Sequence, residues 1–466
     1  MAAERMVLRS QRVSIEEETT EGTPVAETAN GAIMTSEEGA EFNLDRDGIP
    51  GALMSGSFSL NAPTPGMWSD DLGVVIPTKM RGIGTLAAHG PDWQMPAKSI
   101  FGEEYRAEAG VIDAASTALA VKVKSGGASP ALKAGLLIYF PDQGEVRRIA
   151  SYSSPTMTLD TPLSSIPSED DTFVPGVNWL LSSSPSHPFF TCYGYYGESQ
   201  DKRVRITSCK TMEMDLAMEV GGHCDMVFTS VGLEPTYDTT AQAITPTYDT
   251  TTPELICLDM AGWTKATGTA TGTPTTTETI LLTPNFQVKV GDSVGIEVSA
   301  GVWEIKAISA VSGDAPGNIT LTHAAVSIAA SATDSILVFR VACADIGESL
   351  SINMACPVEA EKCMFATYGK TGLANVGRTV TLESEPYFTS WEQFLMRDNS
   401  TAMSLMAILG DITNDDQNNI VAIYIAKKVI TTASLTNDTI MKQSVSSQAA
   451  KDATLGNDFE INMAAF

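Results

Sequence analysis

The chain has 466 residues and a formal net charge of −27, with 56 acidic against 29 basic residues. This length allows about two or three domains of ordinary size. The charge repels nucleic acid backbones and anionic membranes, so it disfavours a function that depends on adhesion to either. Because Thr, Ser, Gly, Val and Ala are plentiful and long segments of helical period are scarce, the composition predicts a mainly β protein.

Targeting and membrane-spanning signals are missing from the sequence. The first residues are too charged for the apolar region of a secretory signal, and no run approaches the ~18 apolar residues that cross a bilayer. We therefore expect a product made in a cytoplasm, with no membrane partner. Its seven cysteines are odd in number, scattered and free of C-x-x-C pairs, which predicts buried thiols in a reducing compartment.

Two segments in the chain resemble each other. Lys133–Gly135, Gly144–Ile149 and Met157–Leu159 in the first segment recur as Lys289–Gly291, Gly301–Ile305 and Ile319–Leu321 in the second. Each segment holds several runs of strand length separated by turn residues, enough for a small β-barrel or sandwich of roughly 70 residues. We interpret the two segments as duplicated β modules.

The modules interrupt a larger domain. Residues 108–183 and 264–342 form the first and second module, and their removal leaves residues 1–107, 184–263 and 343–466. Each of these pieces alone is poor in closed sets of strands, whereas together they can make one β domain. Inserted domains sit at surface loops where entry and exit lie close together, so we predict one discontinuous domain with two insertions.

The most regular strand pattern lies at the centre of the chain, in Thr211–Val220. Apolar residues alternate there with acidic or small ones: Met212, Met214, Leu216, Met218 and Val220 against Glu213, Asp215, Ala217 and Glu219. This period of two predicts a strand with one buried and one solvated face. Gly221 and Gly222 supply a turn before a second run at Met226–Phe228, so the segment predicts a long hairpin.

The last piece contains further strands and one helix. Ser390–Arg397 has a capping serine and places Trp391, Phe394 and Leu395 on one helical face, which predicts a helix packed on the sheets. Strands are predicted at Leu350–Cys356, Val380–Leu382, Ile420–Ala426 and Phe459–Met463, with a polar tail at 436–458 before the closing strand.

Catalytic and metal-binding constellations are missing from the sequence. The four histidines, His89, His187, His223 and His323, have no metal spacing to one another or to a cysteine pair. His223 and Cys224 are adjacent, and adjacent side chains on a strand point to opposite faces. We therefore predict no catalytic residue, no cofactor and no metal ligand, and we do not expect an enzyme.

Three motifs resemble those of the major tail proteins, the tail tube subunits, of long-tailed bacteriophages. The first is the strand from Arg12 and the "E-x-x-x-G-T-P" loop at Glu18–Pro24. The second is the acidic hairpin of Thr211–Leu233, whose second strand ends in "T-x-x-G-L". The third is the pair of final strands, Ile420–Lys427 with Phe459–Met463.

This resemblance implies a β-sandwich with a flanking helix and a structural role in the virion tail. Members of the family form rings, mostly hexameric, that stack into a hollow tube through which the genome passes without specific binding. The implied partners are other copies of the chain and the tape measure, tail terminator and distal tail proteins. Assembly would take place in the cytoplasm of the bacterial host, and extra modules would decorate the outside of the tube.

The resemblance suggests a role for the acidic strand Thr211–Val220. We hypothesise that Glu213, Asp215 and Glu219 face the lumen, where carboxylates repel DNA phosphates, while the methionines and Leu216 face the core. An ordinary solvated sheet face is the simpler reading of the same three residues. For the whole protein, the alternative is a β-rich capsid decoration protein or adhesin whose modules bind carbohydrate.

Overall fold

The computed structural model describes residues 11–36, 39–49, 64–68, 71–83, 90–124, 131–163, 165–182, 184, 186–197, 200–219, 222–242, 261–269, 277–281, 293–299, 302–312, 318–325, 335–341, 349–362, 370–388, 391–398, 400, 402–410, 419–436, 441–450 and 461–466. Strands make up 59% and helices 6% of the structure, so the predicted mainly β class is confirmed. Its large sheets are antiparallel.

The strands are numbered in chain order. Those before the first module are β1 (Arg12–Glu17), β2 (Ala32–Ile33), β3 (Glu41–Asn43), β4 (Arg46–Ile49), β5 (Thr64–Trp68), β6 (Gly73–Lys79) and β7 (Gly102–Arg106). Then follow β8 (Gly110–Val111), β9 (Ala120–Lys122), β10 (Leu137–Phe140), β11 (Glu145–Ser153), β12 (Thr156–Leu159) and β13 (Thr172–Phe173). The central strands are β14 (Val177–Leu181), β15 (Phe190–Tyr196), β16 (Lys202–Glu219), β17 (Asp225–Val231) and β18 (Glu234–Asp238).

The remaining strands belong to the second module and the last piece. The module holds β19 (Ala261–Thr269), β20 (Thr277–Leu281), β21 (Ser293–Ser299), β22 (Val302–Ser312), β23 (Asn318–His323) and β24 (Ser335–Val341). The last piece holds β25 (Ser349–Ala355), β26 (Val358–Lys362), β27 (Lys370–Asn375), β28 (Thr379–Ser384), β29 (Ala402–Leu409), β30 (Val421–Thr436), β31 (Lys442–Ala449) and β32 (Asn462–Ala465).

Strand β16 joins two sheets that share one core. Its first half pairs with β15 and β18 in a small sheet of order β2–β1–β15–β16–β18. The second half pairs with β17 and β25 in a large sheet that runs β3–β6–β17–β16–β25–β28–β31–β30. Ser208, with a φ of 52°, marks the bulge where β16 passes from one sheet to the other. One continuous core contains apolar side chains from both sheets.

Two helices are described. Helix α1 (Gln94–Phe101) was not predicted, although Trp93, Ala97 and Ile100 show the i, i+4, i+7 spacing of its buried face. Trp93 packs on Trp179 of β14 with ring centroids 4.8 Å apart, at the centre of the core. Helix α2 (Glu392–Asp398) confirms the predicted helix with a shift of one or two residues at its ends. The predicted inward face was wrong, because Trp391 and Leu395 are exposed while Gln393 and Met396 are buried. Neither helix is long and apolar enough to cross a membrane.

The two modules share a strand order. In the first, the sheet runs β10–β11–β12–β9; in the second, β21, β22, β23 and β20 follow one another in the same sequence of pairings. Strand β14, at the end of the first predicted module, pairs with β7 and β32 and so belongs to the large sheet system. A buried amide links the first module to that system. The Asn178 side chain accepts a hydrogen bond from the Leu137 N–H and donates one to the Leu137 carbonyl.

Within the predicted polar tail at 436–458, the structure contains strand β31. It was missed because its inward positions include Gln443 and Ser447, which are buried polar residues, and therefore the apolar alternation is weak. The closing strand is described from Asn462 onward, while 459 and 460 lie outside the described residues. Val220 and Gly221 of the predicted central hairpin also lie outside them, although the pairing of β16 with β17 confirms the hairpin.

The two faces of β16 predict opposite effects of truncation. Leu216 is 1% exposed, so Leu216→Ala should lower the free energy of unfolding by about 2–5 kcal/mol through lost burial and a residual cavity. Glu219→Ala on the exposed face of the same strand should change it by less than about 0.5 kcal/mol. Chemical denaturation of the two variants measures both values. Equal destabilisation would contradict the assigned orientation of the strand.

Candidate functional site

The acidic residues singled out in the sequence share one face of β16. Glu213 and Asp215 are half-buried and Glu219 is exposed, whereas Met214, Leu216 and Met218 on the other face are at most 1% exposed. Met212 was expected in the core but is only half-buried. The register of β16 against β17 shifts between Thr211 and Glu213, so the extra residue at this bulge interrupts the alternation.

An asparagine that the sequence analysis did not identify holds two of these carboxylates. Asn353 lies directly opposite Asp215 on β25, and its Nδ2 donates to Glu213 Oε1 at 2.7 Å and to Asp215 Oδ1 at 2.5 Å. A side-chain amide carries two N–H donors, so it can serve both acceptors at once. Alternation in Leu350–Cys356 predicts which face Asn353 occupies, but it does not give the register between the two strands.

The polar face extends over six neighbouring strands, from β6 through β17, β16, β25 and β28 to β31. One row of register partners on this face crosses all six strands: Pro77, Val227, Asp215, Asn353, Thr381 and Gln448. The charged side chains that share the face in these strands are Glu213, Asp215, Glu219, Asp225, Glu383, Lys79 and Lys442. Carboxylates therefore outnumber ammonium groups by five to two.

The carboxylates are spaced so that none lies directly opposite another. Glu213 is paired with Thr229 and Ala355, and Glu383 with Ser351. Asp225 lies opposite Lys79, an attractive pair. Like charges in directly opposed positions destabilise a sheet, so this spacing lets the face carry a high acidic charge at small cost.

At one end of the face the strands border a groove of about 240 Å³. Its lining includes three carboxylates and several hydroxyls: Glu219, Glu383, Glu385, Ser349, Ser351 and Ser444. Among the described residues, no group of three or more His, Cys, Asp or Glu side chains is arranged to hold a metal ion. The groove thus extends the acidic face.

The loop at Glu18–Pro24 is held in place by a buried carboxylate. Glu18 is 5% exposed, and its Oε1 accepts hydrogen bonds from Thr191 Oγ1 at 2.6 Å and from the Ser208 N–H at 2.8 Å. The Ser208 hydroxyl donates to Glu18 Oε2 at 2.9 Å and accepts from the Gly22 N–H at 2.5 Å. Glu18 and Gly22, the two ends of this segment, therefore both contact Ser208 at the bulge of β16.

Two further carboxyl groups hold the continuation of this loop. Glu16 Oε1 accepts from the N–H of Thr28 at 2.5 Å and from its hydroxyl at 2.9 Å, and Glu27 accepts a hydrogen bond from the Tyr195 hydroxyl. Burial raises the pKa of the Glu16 carboxyl and that of Glu27 above their ordinary values. These groups gave no signal in the sequence because their role depends on long-range contacts.

In the described part of the chain the cysteines are buried, as are His187 and His323. Cys192, Cys209, Cys224 and Cys356 are free and buried, as predicted for these four. Burial raises the pKa of the Cys356 thiol. His223 is exposed while Cys224 is buried, so the two side chains diverge as the strand argument requires.

A scan against protein-family models gives no match to this chain, and a search of curated proteins finds no match either.

The pKa of Glu16 predicts a pH dependence of stability. A carboxyl with a raised pKa binds its proton more tightly in the folded chain, so it contributes stability at acidic pH that is lost as the pH rises through the raised value. The Glu16→Gln variant does not lose this stability. The difference between its free energy of unfolding and that of the wild type should therefore increase from pH 5 toward pH 8. Denaturant titration at several pH values measures the trend.

The control for this trend is Glu108→Gln, which removes one exposed carboxylate with the same change of formal charge. Its difference from the wild type should vary less with pH than that of Glu16→Gln. A Glu16→Gln difference that falls as the pH rises would contradict the assigned effect of burial.

Proposed function

We propose that this chain is a tail tube subunit of a long-tailed bacteriophage, which assembles into stacked rings around a lumen that conducts DNA. The observation that carries the proposal is the single acidic face that spans six antiparallel strands, with the protein core on its other side. The motif resemblance supplies the ring and tube architecture, including the sixfold symmetry that is usual in that family.

A conduit for DNA has to contact the genome without holding it. Carboxylates repel phosphates over about a Debye length, ~8 Å at physiological salt, so an acidic wall keeps the duplex from adhering. Protein surfaces that bind DNA show the opposite charge, with lysine and arginine on the phosphates. The five carboxylates of this face and the net charge of −27 favour a lumen through which DNA passes over a surface that binds DNA.

A sheet of this kind also requires neighbouring subunits that cover its exposed borders. Long antiparallel strands with exposed borders tend to associate, and a closed ring pairs or covers those borders. In this chain a single row of register partners crosses six strands of the polar face, so the face can form one segment of a continuous wall. The discontinuous domain carries this wall, and the two modules then lie as additions outside it.

The alternative of a carbohydrate-binding decoration protein or adhesin calls for exposed aromatic platforms in the modules. Among the described module residues, the large apolar side chains that are exposed are Val111 and Ile166, both aliphatic. Trp303 lies in β22, and its side chain lies outside what the structure describes. These residues do not support a carbohydrate-binding function, so we keep the tail tube subunit as the proposed function.

Charge reversal on the face tests the proposal. A triple variant with Glu213→Lys, Asp215→Lys and Glu219→Lys should still form tubes, because these side chains lie away from the core. Its wall should retain DNA, with ejection slowed on the order of tenfold or more, because lysines bind phosphates. Electron microscopy of virions measures tube formation, and DNA release from the same virions measures ejection.

The matched control reverses three exposed carboxylates of the first module, with Glu108→Lys, Glu169→Lys and Asp170→Lys. It changes the net charge equally and should leave ejection unaltered. Normal ejection by the triple variant of β16, or equal slowing by the control, would contradict a lumenal position for this face.

A further inference from the structure

The outer face of the small sheet carries a basic cluster in this acidic chain. Residues directly opposite one another on paired strands share a face, and two such rows cross the sheet from β1 to β18. The first row is Arg12, Tyr195, Arg203 and Asp238, and the second is Ser14, Tyr193, Arg205 and Thr236. Val13 and Ile206, on the opposite face, belong to the core. Three of the chain's thirteen arginines therefore share this face, and we call them the arginine cluster.

Two guanidinium groups of the cluster are held near each other. Arg203 and Arg205 are two residues apart on β16, which is about 7 Å along a strand. Both are placed around Tyr193, since the Arg203 Cζ lies 5.8 Å from the centre of its ring and Arg205 is its register partner. Like charges on neighbouring positions of one sheet face repel, and negative charge placed between them relieves that repulsion.

Asp238 neutralises one of these two groups, because it accepts a hydrogen bond from Arg203 Nη2 in an ion pair. Arg205 Nη2 donates to the neutral Thr236 hydroxyl at 3.3 Å, and among the described residues no carboxylate forms an ion pair with Arg205. The Nε atoms of both arginines are buried and have no hydrogen-bond partner in the described part of the chain. A buried donor without an acceptor costs free energy, so an acceptor bound here would stabilise the pair.

The loop after Glu18 holds the tyrosines of the two rows in place. The Tyr193 hydroxyl donates to Val25 O, and the Tyr195 hydroxyl donates to the Glu27 carboxyl. The arginines are more accessible than these tyrosines, because Arg12 is exposed and Arg203 and Arg205 are half-buried. A small ion can therefore approach the guanidinium groups from solvent.

We propose that the arginine cluster binds a phosphate group, either as inorganic phosphate or as a small phosphate monoester. A guanidinium is a planar fork that matches phosphate oxygens with two parallel N–H bonds, and a phosphate has enough oxygens for two forks. A carboxylate has only two oxygens and a single charge, so it suits one fork. The proposal does not depend on the proposed function, because the small-sheet face is separate from the acidic face.

The charges around the cluster set the expected affinity. The three arginines share their surroundings with the carboxyl groups of Asp238 and Glu27, so the formal balance is 3 − 2, an excess of one positive charge. A phosphate is attracted by the guanidinium groups and repelled by the nearby carboxylates. We therefore expect a dissociation constant on the order of 1 mM at low salt, which rises as salt screens the attraction.

Phosphorus NMR of inorganic phosphate with the full chain, at fixed ionic strength, tests the proposal. The wild type should broaden or shift the phosphate line in a saturable way. Arg205→Gln should weaken binding about tenfold or more, and Arg205→Lys should weaken it too, because lysine keeps the charge but lacks the fork. The matched control is Arg106→Gln, which removes an exposed arginine paired with Glu104 at 2.8 Å and should bind like the wild type.

A second variant keeps the test independent of folding at the half-buried position. Arg12 is exposed, so Arg12→Gln should fold normally and weaken binding about threefold through the loss of one positive charge. No saturable response of the phosphate line to the wild type would overturn the proposal. An equal response from the wild type, Arg12→Gln and Arg205→Gln would overturn it as well.

Competition identifies the source of the phosphate group. Adenosine monophosphate that displaces inorganic phosphate at similar concentration would support the site and assign it to a phosphate monoester. Saturable binding of inorganic phosphate that adenosine monophosphate does not displace would support the site and restrict it to the free ion. Displacement of phosphate by acetate at equal concentration would contradict the preference for two forks and overturn phosphate as the ligand.

Discussion

Strand β16 is hydrogen-bonded to other strands on both sides along most of its length, and both sheets take their position from it. Its first half builds the small sheet with β15 and β18, and its second half builds the large sheet with β17 and β25. Because side chains alternate along a strand, one continuous pairing fixes Met214, Leu216 and Met218 in the core and sets Glu213 and Asp215 outside it. A slip of one residue would bury three carboxylates, those of Glu213, Asp215 and Glu219, so the register is strongly determined.

The acidic face is compatible with a stable sheet because its charges are distributed. Each carboxylate of β16 has neutral register partners, and the Asn353 amide donates to two of them. Repulsion inside one subunit is therefore modest, while the summed field of the face remains negative. In a ring, several such faces would together give the lumen a negative potential, strongest at the wall, which would keep DNA away from it. The same charge makes separate copies of the chain repel one another.

The sequence was sufficient for the fold class and for the face of β16, because period-two alternation is a local property. It also identified helix α2 and the divergence of the adjacent His223 and Cys224 side chains. It could not give the partners of a strand: Asn353, Lys79 and Asp225 join the face only through register. Strand β31 was missed because its inward residues Gln443 and Ser447 are polar, and α1 because it is only two turns long. The Glu18–Ser208 contact, 190 residues apart in sequence, has no local signal at all.

Cryo-electron microscopy of the concentrated, purified chain would show whether the face bearing Glu213 and Asp215 lines a lumen. We expect hollow ringed cylinders in which this face lies innermost and the two modules project outward. Cylinders with the face on the outside, or particles in which the face is buried between subunits, would rule out a lumenal position for it.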